Sequence, residues 1–522
     1  MRKRLSASLA GLLAVVMLLL SGCGGNTNNT ADNSAGNEGT TAETGKDTLI
    51  VAVNAGPVDL DPHGTTDQNT YDVRYQVYEG LVYVDAAGDI QPQLATEWEW
   101  ENDTTLLMTL RKDVTFQNGS AFTAEDVMYS LERAASSSFT AAYIEDVDLD
   151  ACEITEDGNF RFVLTSPQSA FLSRLDRVMM IDKETWEENG EEAMLENPIG
   201  TGAYKLTNWV SDDRVEFEAY SDYWGGEPYF KYVTFRIIPE SASRALEIEA
   251  GTVDVSLTLQ AADVGILSEN EDVDIYTIPS YMITYLGFDC TKAPYDNVKV
   301  RQALSYALDR DTICSLVYES LATPADAGRL SEVYWGYAGD EITHYTYDPE
   351  KAKELLAEAG YADGFDMTLM LSEAEQDQID MSEIIQSQLG EVGINVTIDV
   401  MENATYLDTI IEGGFDAFLC NSMGSSPDPG EAMKSFISTR PTWSNTTRYY
   451  NEELTAMIEK GQQTIDETEK REIFLEVQEI VNDECPWVFL VHNCASFAAR
   501  SNIKGINIYP SYAHFFKEAY MD

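Results

Sequence analysis

The sequence predicts an α/β protein with more than one core-forming unit. Three observations carry this. At 522 residues the chain is longer than one hydrophobic core usually organises. Strand and helix patterns alternate through its second half, most clearly between residues 348 and 400, as expected of helices packed on a sheet. No short-period repeat is present, which argues against a solenoid or a propeller.

The chain opens with Met1-Arg2-Lys3-Arg4, an apolar run from Leu5 to Leu20, and Ser21-Gly22-Cys23. That order predicts a secretory signal over 1–22, cleaved before Cys23. It resembles the bacterial lipobox, which implies a lipidated Cys23. Each methylene of the attached diacylglycerol would contribute roughly 0.8 kcal/mol of membrane binding. An uncleaved anchor fits less well, because the run is about 16 residues where a span needs ~20. Residues 24–45 lack aromatic and large aliphatic side chains and read, with Cys23, as a flexible tether over 23–45.

Order begins with the strand pattern Thr48–Val53. Leu106–Leu110 is a second strand, and Asn118-Gly119 marks a tight turn. Thr123 caps a helix running to about Arg133, with Glu125 and Asp126 suiting its positive start. Glu153–Leu164 reads as a hairpin turning at Asp157-Gly158. Ser241–Ala250 is helical and stops at Gly251. The amphipathic pattern over Val298–Ser320 predicts one long helix. Asp348-Pro349 starts another, ending near Gly360. Then follow a strand (Phe365–Leu371), a helix (Glu383–Val392), a strand (Ile394–Val400), a helix (Glu467–Asp483) and a strand (Val488–Val491).

The charge is strongly acidic, with 33 Lys and Arg against 90 Asp and Glu. Removing the signal deletes Arg2, Lys3 and Arg4 and no acid. Such a surface repels phosphate backbones and anionic headgroups, so nucleic acid is not a partner. The plain consequence of the charge is solubility.

Apart from Cys23, six scattered cysteines form no CxxC pair. Cys485 and Cys494 flank a strand pattern that would hold them about 30 Å apart, well beyond the ~7 Å limit for a disulfide. Buried free thiols are expected for most of the six. The four histidines, His63, His344, His492 and His514, have no metal-ligand spacing, so neither a metal nor a cofactor is expected. No nucleophile elbow, zinc-protease, P-loop or dinucleotide motif is present. Ser501-Asn502-Ile503-Lys504 matches SxxK but lacks its KTG companion. A surface hydrolase stays an alternative, because acidic pairs are too numerous to single out or exclude a dyad. The lack of a concentrated catalytic motif favours a binding protein over an enzyme, and abundant tyrosine suits a ligand cleft.

Several ordered motifs carry a family resemblance. They include Leu60-Asp61-Pro62-His63, Tyr78-Glu79-Gly80-Leu81, Leu94-Ala95-Thr96-Glu97-Trp98 and the block from Leu110 to Val127. Pro198-Ile199-Gly200-Thr201-Gly202-Ala203-Tyr204, Val300-Arg301-Gln302-Ala303-Leu304 and Tyr347-Asp348-Pro349-Glu350 continue the series. Together they resemble the family 5 extracellular solute-binding proteins, which serve ABC importers of peptides, nickel complexes and oligosaccharides. The resemblance covers residues 48–520.

It implies a periplasmic-binding-protein type II-like fold with two lobes joined by a two-strand hinge, closing on ligand. The crossing strands would be Ile283–Asp289 and Phe489–Asn493. Lobe I would then comprise 46–284 plus 490–522, enlarged by an extra subdomain over 66–195, and lobe II would be 285–489. The implied partners are a peptide or other small solute, an ABC permease with its ATPases, and the membrane through the N-terminal lipid. The chain would be monomeric and exported, held on the outer face of the cell membrane, or on the periplasmic side where an outer membrane exists. A signalling role without bulk import stays open.

In peptide-binding relatives an aspartate three residues before an acidic-Pro pair holds the ligand's ammonium. Here Asp428-Pro429 is the pair, and the aspartate position falls on Ser425; Ser422 stands where a tryptophan is common. Another acid, such as Asp428 or Asp67, is needed, or the ligand has no free amine there. Peptide is the first reading, and an oligosaccharide or metal chelate the alternative. By the same resemblance Thr66, Asp67 and Gln68 face the cleft from lobe I. Asn421, Met423, Gly424 and Ser425 face it from lobe II, and His492 and Asn493 from the hinge.

Overall fold

A computed structural model describes residues 46–65, 67–319 and 321–522. The predicted signal peptide, Cys23, the tether and Thr66 lie outside the described residues. Among those described, no helix is long and apolar enough to cross a membrane.

Eleven strands make the main sheet. They are β1 (Thr48–Val53), β2 (Tyr204–Val210), β3 (Arg214–Ala219), β4 (Tyr232–Ile237), β5 (Val255–Leu257), β6 (Val273–Phe288), β7 (Ala322–Pro324), β8 (Phe365–Ser372), β9 (Ile394–Met401), β10 (Ala417–Met423) and β11 (Val488–Arg500). Their order is β9-β8-β10-β6-β11-β5-β1-β4-β3-β2, with β7 also on β11. β8 runs parallel to both β9 and β10, and the helices Gln376–Glu391, between β8 and β9, and Asn403–Glu412, between β9 and β10, make the connections that parallel strands require.

The antiparallel pair β6 and β11 belongs to both halves of the sheet. The sequence pattern predicts the first of these only from Ile283, yet β6 begins at Val273. Pro279 hides the earlier part, because a proline interrupts a strand pattern and removes a ladder donor. Pairing shifts register between Pro279 and Ile283 and again between Thr284 and Tyr285. The first shift loops Ser280, Tyr281 and Met282 out of the ladder with β11. The Tyr281 amide donates instead to the Pro510 carbonyl at 3.0 Å, and the Ser280 hydroxyl donates to the Asn493 carbonyl at 2.6 Å. β11 likewise extends to Arg500, past the predicted Val491.

The helix predicted over 298–320 is divided into Val298–Tyr306, Arg310–Ile313 and a wider turn over Cys314–Tyr318. Asp309 caps the second piece, accepting from the Thr312 amide at 3.2 Å. Buried Arg310 turns inward and donates to the carbonyls of Ser305 and Tyr345, each at 3.0 Å, and of Phe489 at 2.7 Å. A straight helix would leave those carbonyls unmet. Two helices follow their sequence signals: Ala124–Ser136 opens with a Thr123–Asp126 capping box, and Asp348 caps Pro349–Glu358; the helix expected from Glu383 begins earlier, at Gln376.

A separate antiparallel sheet, Ala95–Asn102, Thr105–Leu110, Phe160–Val163 and Glu153–Ile154, packs Leu106, Met108, Phe160 and Phe162 against Val127 and Leu131. Two family motifs meet beside it. The buried Glu79 carboxylate accepts from Thr201 (2.9 Å), Tyr223 (2.7 Å) and the Trp224 indole (2.8 Å). A Cβ on Gly200 would lie 2.0 Å from the Val77 carbonyl oxygen, and one on Gly202 2.6 Å from that of Gln76. Close backbone approach requires glycine at both positions. Cys152, Cys314 and Cys485 are buried free thiols, and Cys290, Cys420 and Cys494 are half-buried ones.

Candidate functional site

β10 is a short strand whose two edges differ. β6 pairs with it as far as Met423. β8 pairs with it only at Ala417 and Phe418. Gly424 N–H donates to the Tyr281 carbonyl at 3.1 Å, so antiparallel alternation turns the backbone groups of Asn421 and Met423 away from β6. They point toward the edge that β8 has left. The Leu419 carbonyl, in the same phase, is met there by the Tyr406 hydroxyl. An open stretch of strand edge therefore ends at Met423, which is 37 % exposed.

Around this edge the predicted residues of lobe II and the hinge converge. The Thr284 hydroxyl lies between the side-chain amides of Asn421 (2.7 Å) and Asn493 (2.9 Å), and the Asn421 amide donates to Glu375 at 3.3 Å. A Cβ on Gly424 would meet the Tyr334 hydroxyl at 2.2 Å, which explains the glycine. His492 is buried on β11. Burial and then the nearby Arg329 charge push it down to about 3, so it is neutral at physiological pH.

The two acids put forward for the amine are already engaged. Asp428 caps the helix Pro429–Met433 by accepting from the Gly430 amide at 2.8 Å. It also forms a buried ion pair with Lys470 and accepts from Ser169 at 3.3 Å. Asp67 caps the helix Gln68–Val77, accepting from the Thr70 amide at 2.9 Å. Gln68 donates to the Tyr512 carbonyl at 2.7 Å. Neither carboxylate reaches Ser425.

Glu431 does, and the sequence reading missed it. Ser425 Oγ donates to Glu431 Oε2 at 3.1 Å. The Glu431 side chain is 6 % exposed, pairs with Lys434 at 2.8 Å and lies 3.9 Å from Arg174 Nε. Burial alone would raise its carboxyl, but Lys434 and Arg174 more than offset that and hold it below the ordinary range. The only sequence signal for it is its place in the first turn after the Asp428 cap.

Arg174, from the helix Phe171–Arg174, brings the 66–195 segment to this point. It also pairs with Asp146 at 2.9 Å. Nearby, Arg177 donates to the Tyr75 hydroxyl at 3.2 Å and lies 5.2 Å from the Tyr71 ring centre. Burial pushes the adjacent Asp176 carboxyl up to about 6. The contact between the two sides continues at Ser169, whose amide donates to the Gln462 carbonyl at 2.9 Å. A groove of about 310 Å³ follows this seam, lined by Trp100 and Gln168 on one side and Trp335 and Lys470 on the other. Among the described residues no group of His, Cys, Asp and Glu is placed to hold a metal.

Comparison with known proteins bears on the family and the fold. A profile of the bacterial extracellular solute-binding proteins, family 5 Middle, matches residues 89–444. The chain is 28% identical to the heme-binding protein A of Haemophilus influenzae, over 94% of this chain and 95% of that one. It is 27% identical to the dipeptide-binding protein of Escherichia coli, over 90% of this chain and 94% of that one. The crystal structure of a dipeptide-binding protein from Pseudoalteromonas in complex with Met-Leu superposes with a TM-score of 0.77 at 26% identity, over 91% of this chain and 100% of that one. The fold is thus the mixed α/β fold of type II periplasmic binding proteins. These relatives are solute-binding proteins and not enzymes.

Proposed function

The chain belongs to the bacterial extracellular solute-binding proteins of family 5, and from that membership we propose that it captures an oligopeptide or dipeptide in an interlobe cleft and delivers it to an ABC permease. The observation that carries the peptide reading is the open edge of β10. A strand edge left unpaired by any strand at Asn421 and Met423, where the Asn421 carbonyl meets only the weak Cys420 thiol donor at 3.3 Å, takes up an extended backbone by strand addition, and the side-chain pockets then set preference. The same ligand class appears in the names of the Escherichia coli and Pseudoalteromonas relatives.

In this reading lobe I comprises 46–284 with 490–522, and lobe II 285–489. The lobes rotate about β6 and β11, whose second register shift, between Thr284 and Tyr285, falls on that boundary. Asn421, Met423, Gly424 and Ser425 line the cleft from lobe II, and Thr66, Asp67 and Gln68 from lobe I. His492 and Asn493 contribute from the hinge, and Asp428 acts through the helix it caps. Cys23 would carry the lipid, and the tether would raise the effective concentration of the binding body at the permease.

A second reading, a non-peptide solute, is favoured by one observation. Glu431, the acid beside Ser425, is already neutralised by Lys434 and approached by Arg174, so no uncompensated carboxylate awaits an ammonium. The test is native mass spectrometry of gently purified protein. A ladder of bound peptides is the expected result, and a bound sugar or metal chelate overturns the peptide reading. Cys23→Ala, followed by cell fractionation, tests the anchor. The variant is expected to leave the membrane fraction, and retention there refutes lipidation at this residue.

A further inference from the structure

Arg329 is a buried cation with two donor atoms unmet, where Arg74, Arg174, Arg177 and Arg244 each leave one. It is 2 % exposed, yet no carboxylate pairs with it among the described residues, in a chain with 90 acidic side chains. Its Nε and Nη1 have no hydrogen-bond partner. Among the described residues its Nη2 donates to the Ser422 hydroxyl at a long 3.4 Å, and the Tyr334 hydroxyl lies close enough to interact with the guanidinium. Two other buried arginines without carboxylates behave differently. Arg310 donates to four backbone carbonyls, and Arg244 to three. Those side chains tie loops together, whereas Arg329 donates to no backbone carbonyl among the described residues.

Its position bears on the ligand. Ser422 belongs to the open part of β10. The Trp487 ring centre, 5.9 Å from the guanidinium carbon, stacks on Tyr285 at 3.7 Å and forms an apolar wall behind it. Tyr334, whose hydroxyl donates to the Tyr281 carbonyl at 2.9 Å, lies on another side. The remaining neighbours, His492 and Tyr285, hold no negative charge at neutral pH, since the phenol of Tyr285 is pushed far up by burial and the imidazole is neutral. A buried guanidinium with two idle donors is costly unless something completes it. Its planar fork matches an oxyanion with two oxygens.

We propose that the solute carries an acidic group, a carboxylate or an oxyanion of similar geometry, that docks on Arg329 beside Ser422. This rests on the cleft placement argued above, but not on the solute being a peptide. For a peptide, the acidic group is an Asp or Glu side chain or the terminal carboxylate. For a non-peptide solute, it is an acid function of that molecule.

The test uses the full mature chain and a synthetic random tripeptide library, free-acid and C-amidated, with bound species identified by mass spectrometry. Wild type is expected to enrich acidic tripeptides, or free-acid over amidated ones, by roughly ten- to a hundredfold, the range of a charge-assisted bond. Enrichment confined to Asp and Glu residues names the side chain, and enrichment lost on amidation names the terminus. Arg329→Gln should abolish the preference. Should that variant unfold, Ser422→Asp gives the guanidinium an internal carboxylate and should remove the preference with the melting temperature unchanged or raised. Peptides bound without acidic preference, or a preference that survives both substitutions, overturn the Arg329 assignment and leave the peptide reading standing. If wild type retains no tripeptide but copurifies with a non-peptide acid that Arg329→Gln loses, the peptide reading fails and the Arg329 assignment holds. A neutral copurifying solute overturns both.

Discussion

Glu431→Gln is the substitution that most directly probes the charge cluster of Glu431, Lys434 and Arg174. It removes one negative charge that Lys434 approaches at 2.8 Å and Arg174 Nε at 3.9 Å, and it leaves the Ser425 hydroxyl an amide to face instead. Breaking a buried pair by neutralising one member costs about 3–5 kcal/mol, because the other charge stays buried. Two features reduce that here. Arg174 keeps Asp146 at 2.9 Å, and Lys434 has Glu145 at 3.9 Å. The expected loss is therefore about 2–3 kcal/mol, read as a lower urea midpoint with an unchanged slope. The pH dependence supplies a second readout. The folded-state carboxyl of Glu431 lies below its ordinary 4.5, so its contribution is fully present above the unfolded value and is lost as pH falls through the folded one. The gap between wild type and variant should stay constant from pH 7 to about 4.5 and shrink below that. Equal stability at pH 7, or a gap that does not shrink in acid, would refute the argument that this carboxylate is ionised and holds the two cations.

Further outcomes follow from other parts of the structure. Gly200→Ala forces a methyl onto the Val77 carbonyl oxygen, 2.0 Å away, and should cost at least the 1–3 kcal/mol typical of overpacking; a urea midpoint within error of wild type would contradict the close approach. His492 is held down to about 3 by burial, so the unfolded chain takes up its proton first, and stability falls as pH drops from about 6.5 toward 3. His63, likewise pushed to about 3 by burial, adds to that slope. Asp176, raised to about 6, works in the opposite sense between about 6 and 3.8. His492→Asn should flatten the acid limb by up to about 1.4 kcal/mol per pH unit, and an unchanged limb in chemical denaturation would show that this imidazole titrates normally.

What the sequence revealed and what it hid divide along the range of the interactions. Capping at Thr123 and Asp348 and the alternation from β8 to β9 are set by neighbours close in the chain. They were legible for that reason. β6 and the helix from Val298 were misjudged where one residue answers to distant ones. Pro279 ends the visible strand pattern because its local effect is to break a ladder, while β11 rebuilds that ladder from more than two hundred residues away. Arg310 ends the helix because Phe489 and Tyr345 supply carbonyls that no local pattern announces.

The candidate site is an extreme of the same kind. Ser425 was found as a departure from a motif, but the acid that answers it, Glu431, and the cation that counters that acid, Arg174, lie 257 positions apart by number. The strand edge at Met423 is open only because β8 diverges after Phe418, a matter of sheet geometry rather than of residue type. Arg329 is harder still to read in advance, since what distinguishes it is the absence of a partner. In a sequence with so many acids an arginine is expected to find one. That it does not, while Arg310 and Arg244 each donate to several backbone carbonyls, leaves two of its donor atoms without a partner among the described residues. The acid group proposed for the ligand would meet those donors, so the sign of the solute's charge is sought in unmet hydrogen bonding rather than in a motif.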